Sequence, residues 1–172
     1  QRQSAWVWEH QALTRARFCA GDAAIGKRFE ALRIDLLRQR RDQEALRSEV
    51  LAMRRRMHDA HPNRSGLFDL KHDDGGMIDI EFIVQYLVLA HAADFAPLTG
   101  DIGNIALLKL AGQIGLIDAA LALQVSDAYR EFRRLQHQIR LRGEDRARVD
   151  PTSVDAMRTS VIALWRNIFG EA

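Results

Sequence analysis

The chain has 172 residues, of which 47% are hydrophobic and 28% charged, with a net charge of +2. That length suits one domain burying roughly 70% of its unfolded surface, and the composition is that of an ordinary globular protein. The small charge gives no argument for nucleic acid. The one cysteine, Cys19, excludes an internal disulfide, and the most apolar run, residues 80–96, carries Glu81, Gln85, His91 and Asp94, too many polar groups for lipid.

The pI of 9.0 reflects a preference for arginine, because lysine stands only at Lys27, Lys71 and Lys109. A reducing cytoplasm is the expected location. The opening, QRQSAWVWEHQAL, has no initiator methionine and no basic-then-apolar leader, and it reads as the middle of an element. The chain is therefore expected to be a piece of a longer protein, with apolar surface exposed around Trp6 and Trp8.

Helical spacing dominates the rest. Residues 5–13 suit a short first helix, followed by Phe18-Cys19-Ala20 in extended form, with Cys19 as a buried thiol. Asp22 is placed to cap a helix with the stripe Ile25, Phe29, Leu32 and Leu36. Asp42 is placed to cap another with the stripe Leu46, Val50, Met53 and Met57. The run Arg54-Arg55-Arg56 suits that helix's C-terminal dipole. His61-Pro62 breaks the pattern, because a residue before proline is disfavoured in a helix.

LFDLK alternates as a short strand would, Asp73-Asp74-Gly75-Gly76 reads as a turn, and Met77 starts a helix apolar on most sides through Ala93. A helix apolar all round belongs at the centre of a bundle. Ile105, Leu108, Ala111 and Ile114 stripe a short helix. Ile117, Leu121, Val125, Ala128, Phe132, Leu135 and Ile139 stripe a long one. EDRARVDP is a polar loop in which Asp150 caps and Pro151 opens the last helix, with the stripe Val154, Met157, Val161, Leu164, Trp165 and Ile168. The expected fold is all-α, a bundle of about six or seven helices with at most one strand pair near residue 70.

Few residues suggest chemistry. No metal set is apparent: His58 and His61 lie three apart without a third ligand. Gly75 and Gly76 before a helix leave backbone N–H groups at its positive end, which could face an anion or simply turn the chain. Asp79 and Glu81 lie two apart on that helix and so point in different directions. In so apolar a helix Glu81 needs a cation if buried, and Lys71, Arg15 and Arg17 are the candidates. Glu81 thus reads first as a structural anchor and second as an acid or base.

Two stretches carry a resemblance. WEHQALTRARFCAGD, residues 8–22, and FDLKHDDGGMIDIEFIVQYLVL, residues 68–89, closely resemble the bacterial glutamine synthetase adenylyltransferase/deadenylylase family. That family carries the pattern K-x-x-x-G-G-hydrophobic-x-[DE]-hydrophobic-E-F in the helical domain after each of two nucleotidyltransferase halves. Lys71, Gly75, Gly76, Met77, Asp79, Ile80, Glu81 and Phe82 match it position by position. His72-Asp73-Asp74 departs from the proline common in that loop. The flanking FDLK and QYLVL resemble the C-terminal, adenylylating half.

The resemblance implies a parent enzyme that transfers AMP from ATP, with Mg²⁺, to a tyrosine of glutamine synthetase. Its implied partners are glutamine synthetase, the PII signal protein and the upstream nucleotidyltransferase domain of the same chain, with no nucleic acid and no membrane. In the family the metal-binding carboxylates precede WEHQAL, so no catalytic residue and no metal or nucleotide of its own is expected here. Residues 1–21 correspond to the tail of the nucleotidyltransferase domain and 22–172 to the helical bundle. Lys71, Gly75, Gly76, Asp79 and Glu81 form a loop that braces the catalytic domain or approaches its nucleotide cleft, with Arg15 and Arg17 as structural partners. In the cleft reading, valine at Gly76 raises the KM for ATP. The alternatives are the helical domain of a PII uridylyltransferase and a regulatory interaction module without a catalytic role.

Overall fold

A computed structural model describes residues 7–170. It contains seven α-helices: α1 (Val7–Leu13), α2 (Ala23–Leu37), α3 (Gln43–Ala60), α4 (Met77–His91), α5 (Asn104–Gln113), α6 (Ala119–Leu141) and α7 (Asp155–Phe169). Two-residue strands β1 (Phe68–Asp69) and β2 (Arg148–Val149) pair antiparallel, Phe68 opposite Val149 and Asp69 opposite Arg148. Short 3₁₀ turns precede α5 and α7. The all-α bundle and the strand pair near residue 70 are both borne out. The partner strand comes from the segment expected to be a polar loop.

The helix starts follow from local chemistry. Asp22 accepts hydrogen bonds from the N–H groups of Ala24 and Ile25, and Asp42 from that of Ala45, each satisfying donors with no partner inside the helix. Asp150 caps a 3₁₀ turn rather than α7 itself, accepting from the Thr152 N–H. Pro151 supplies the first residue of that turn.

At the centre lies α4, eleven of whose fifteen residues are buried. It packs against α1, α3, α5, α6 and α7. Ile80, Ile83 and Val88 are essentially inaccessible, and so are Val125, Phe132 and Val161 across the bundle. Each such side chain contributes about 1.5–3 kcal/mol relative to exposure. The stripes of α6 and α7 meet this core as their spacing requires.

Two expectations need correction. The stripe assigned to α2 does not face inward: Leu36 is buried, but Ile25 is 65% and Leu32 42% exposed. The inward face is set instead by Leu36, Leu37 and Arg33, whose guanidinium donates to the Thr99 carbonyl at 2.7 Å. In α3 the expected stripe does face the core, with Leu46 and Val50 buried and Met53 and Met57 packed against it partly covered, and Arg54 is buried alongside them. Cys19 is exposed, because residues 16–19 form an irregular connector rather than an extended element packed inside. Of the two tryptophans expected at an exposed start, Trp8 is 51% exposed and Trp6 lies outside the described residues.

Candidate functional site

The polar loop between β1 and α4 is held by its own carboxylates. Asp69 Oδ1 accepts from the N–H groups of Lys71 and His72, each at 3.0 Å. Burial pushes this carboxyl up, but the two amides and the adjacent His72 ring outweigh it, and its pKa lies below the usual carboxylate value. Asp73 Oδ2 accepts from the Asp69 N–H at 2.9 Å and from Asn63 Nδ2 at 2.6 Å. That bond ties the loop to the segment after α3, where the His61 ring stacks on His72 with centroids 4.2 Å apart.

Asp79 and Arg54 lock the far side of the loop. Arg54 Nε donates to Asp79 Oδ1, and its Nη2 donates to the His72 carbonyl at 3.0 Å and to Asp74 Oδ1 at 3.2 Å. The Gly75 N–H donates to Asp79 Oδ2 at 2.6 Å. Burial raises the pKa of Asp79, opposed by Arg54 and the Gly75 amide. Both partners are about 95% buried, so a single guanidinium connects α3, the loop and the first turn of α4.

The glycine pair is a close-packing turn. Gly75 has φ +86°, and a Cβ there would lie 2.6 Å from Arg158 Cγ and 3.0 Å from the Arg158 carbonyl. The next amides are all engaged within the chain. Gly76 N–H donates to the Asp73 carbonyl at 2.9 Å, Met77 N–H to that of Leu70 at 2.9 Å, and Ile78 N–H to that of Lys71 at 3.2 Å. The loop carboxylates do not fit a Mg²⁺ ion either: Asp69, Asp73 and Asp79 each accept from N–H donors, and a guanidinium stands among them. Lys71 is exposed, with its backbone N–H bound to Asp69.

Glu81 lies elsewhere. Its Oε1 accepts from the Tyr129 hydroxyl at 2.8 Å and stands 3.3 Å from Arg15 Nη1. Asn104 Nδ2 donates in turn to the Tyr129 oxygen at 2.9 Å. Burial first, and then the Glu81 charge, pushes the Tyr129 hydroxyl up, so it remains a donor at neutral pH. Arg17 pairs with Asp101 at 3.8 Å rather than with Glu81. The predicted residues thus separate into two groups. Lys71, Gly75, Gly76 and Asp79 belong to the Arg54–Arg158 side, and Glu81 and Arg15 to the α5–α6 side.

Sequence reasoning missed Arg54, Arg158, Asn104 and Tyr129. Arg54 had a signal, since it continues the Leu46–Val50 step of four into the apolar stripe; for Arg158 and Asn104 nothing local marks the role. Replacing Tyr129 with phenylalanine removes both the donor to Glu81 and the acceptor for the buried Asn104 amide. The expected loss is about 1–3 kcal/mol, measured by urea unfolding. A smaller effect in an Asn104→Ala background would identify the Asn104 bond as the main part of it.

Acid sensitivity follows from three histidines. Burial is the largest cause holding His10, His72 and His91 below the ordinary 6.5. Below pH 6.5 the unfolded chain then binds more protons at these positions than the folded one. Their contribution is complete above 6.5 and is lost as pH falls through the folded pKa values. Asp79, with its raised pKa, acts in the opposite sense as one group against three. Calorimetry should show a lower Tm at pH 5.5 than at pH 7.5; a flat profile would mean these rings titrate as if free.

Known proteins place this architecture. Residues 36–156 match the family model described as GlnD PII-uridylyltransferase, which spans most of the bundle. The chain belongs to that family. Within the GlnD-type family, its similarity runs to proteins with a different printed activity. It is 58% identical over 168 residues to the bifunctional glutamine synthetase adenylyltransferase/adenylyl-removing enzyme of Bordetella bronchiseptica, covering 98% of this chain and 18% of that protein. The enzyme of the same description from Aromatoleum aromaticum is 59% identical over 172 residues, 100% of this chain and 18% of its own length. That from Nitrosomonas eutropha is 51% identical over 184 residues, with shares of 99% and 20%. The chain therefore spans about a fifth of the relatives it matches, and the resemblance carried by residues 8–22 and 68–89 extends over its whole length.

Proposed function

We propose that this chain is the helical domain following the adenylylating half of an enzyme that modifies glutamine synthetase. The observation that carries the reading is 58–59% identity over essentially the whole chain to enzymes described by that activity. In the reaction, a tyrosine oxygen attacks the α-phosphorus of ATP, the tyrosine proton is lost, and pyrophosphate leaves. The Mg²⁺ for that step belongs with the upstream carboxylates, because the loop aspartates of this chain are already engaged by N–H donors.

The role assigned to Lys71, Gly75, Gly76, Asp79 and Glu81 is bracing. The Arg54–Asp79 lock and the closely packed glycines support a rigid element rather than a mobile phosphate loop. Residues 1–21 act as the tail of the upstream domain, while α1 packs on α2, α3 and α4 and joins it to the bundle. Exposed Phe18, Ile25 and Leu32 lie near that junction and suit burial by the upstream domain. Glutamine synthetase is the substrate partner, PII a regulatory partner, and the cytoplasm the location. No described helix is long and apolar enough to cross a membrane.

The test uses the whole protein that carries this chain. Incubated with glutamine synthetase and α-labelled ATP, it should place labelled AMP on a tyrosine. Labelling of PII from UTP, with glutamine synthetase left unmodified, would instead identify a uridylyltransferase. Failure of both would leave the chain as an interaction module.

A further inference from the structure

Beside the Glu81–Tyr129 pair, between the connector after α1 and the α5–α6 pair, lies a cavity of about 470 Å³. Arg15 and Arg17 from the connector and Arg133 from α6 line it, together with Asp101, Asn104 and Tyr129. Three guanidiniums thus face one lining carboxylate, with Glu81 adjoining. Arg15 is oriented by Glu81 at 3.3 Å and Arg17 by Asp101 at 3.8 Å. Arg133 lies over the Tyr129 ring, 5.9 Å from its centroid, and no carboxylate pairs with it among the described residues.

The apolar residues of the cavity are Val84, Ile102 and Leu107, and α5 begins at its edge without a side-chain cap. Guanidiniums gathered in one cleft add their fields and raise the local concentration of an anion. A lone carboxylate engages one guanidinium fork, whereas a phosphate chain presents enough oxygens for several. The volume is that of a small-molecule pocket rather than of a single ion.

We propose that this cavity is a binding site for a phosphate-bearing anion, held by Arg15, Arg17 and Arg133. The ligand is either the phosphate chain of a nucleotide or a free polyphosphate. This site is separate from the glycine turn, and it stands or falls independently of the adenylylation assay.

The test is calorimetric titration of the purified chain at low salt with pyrophosphate and, separately, with metal-free ATP. Saturable binding is expected. The double variant Arg17→Gln/Arg133→Gln should weaken it at least about tenfold. Both residues are exposed, so the fold should survive, and the circular dichroism spectrum checks this. Arg134→Gln, which removes a guanidinium paired with Glu131 and absent from the lining, should leave binding unchanged. Tighter binding of ATP assigns the site to a nucleotide, and equal binding assigns it to free polyphosphate. No saturable binding of either ligand up to about 10 mM overturns the proposal. So does equal weakening by the Arg134 variant and the double variant, which marks diffuse surface charge.

Discussion

Replacing Arg54 with alanine is expected to cost about 3–5 kcal/mol of stability, because it leaves the buried Asp79 carboxylate without its cation. For a domain whose total stability is about 5–15 kcal/mol, that is a third or more. Arg54 is 95% buried, and its guanidinium makes three separate contacts, to Asp79, the His72 carbonyl and Asp74. Lysine at this position keeps the charge but not the fork, so Arg54→Lys should recover only part of the loss. Asp79→Asn should cost less than Asp79→Ala, since the amide oxygen can still accept from the Gly75 N–H. Urea unfolding at pH 7 measures all four variants. Equal and small losses throughout would show that water reaches this pair and screens it.

The second large effect is expected at Gly76, and it separates sterics from backbone strain. Its φ of −88° and ψ of −171° are open to any residue, so alanine meets no conformational penalty. A Cβ there would instead lie 2.8 Å from the Asp73 carbonyl and 3.0 Å from that of Leu70. Both obstacles are backbone, and both carbonyls already accept hydrogen bonds from the start of α4, so neither can move alone. Gly76→Ala should therefore lose about 1–3 kcal/mol, and Gly76→Val more. A valine at this position consequently reports on the integrity of the loop before it reports on ATP. A Gly76→Ala protein as stable as the parent, by the same urea titration, would show that the turn can open without disturbing the core.

These two effects bear on function through rigidity. The loop carries the family pattern, yet its carboxylates and amides close on one another and on Arg54. Such a segment has the rigidity that the proposed bracing role requires. The groups with capacity to meet a charged ligand lie on the other side of α4, where Arg15, Arg17 and Arg133 converge.

What this sequence determined by itself was mostly local. Caps at Asp22 and Asp42, the break at Pro62, and the all-round apolar character of α4 each depend on residues within one or two turns. They predicted the helices and placed α4 at the centre. The resemblance in residues 8–22 and 68–89 was equally legible, since a pattern of spaced identities needs no coordinates.

Tertiary structure decided the rest, for a common physical reason. Arg54 and Asp79 are 25 positions apart, Glu81 and Tyr129 48 apart, and no periodicity specifies which helix faces meet across such separations. The same holds for α2, where the apolar stripe and the buried face differ because Leu36, Leu37 and Arg33 choose the contact. Asp79 accepts from the Gly75 N–H at the helix end and is also one of two buried partners in the ion pair with Arg54. Glu81, for which Lys71, Arg15 and Arg17 are the candidate cations, sits partly exposed beside Arg15 alone of the three. Burial sets which charge requires a partner, and burial is a property of the assembled bundle.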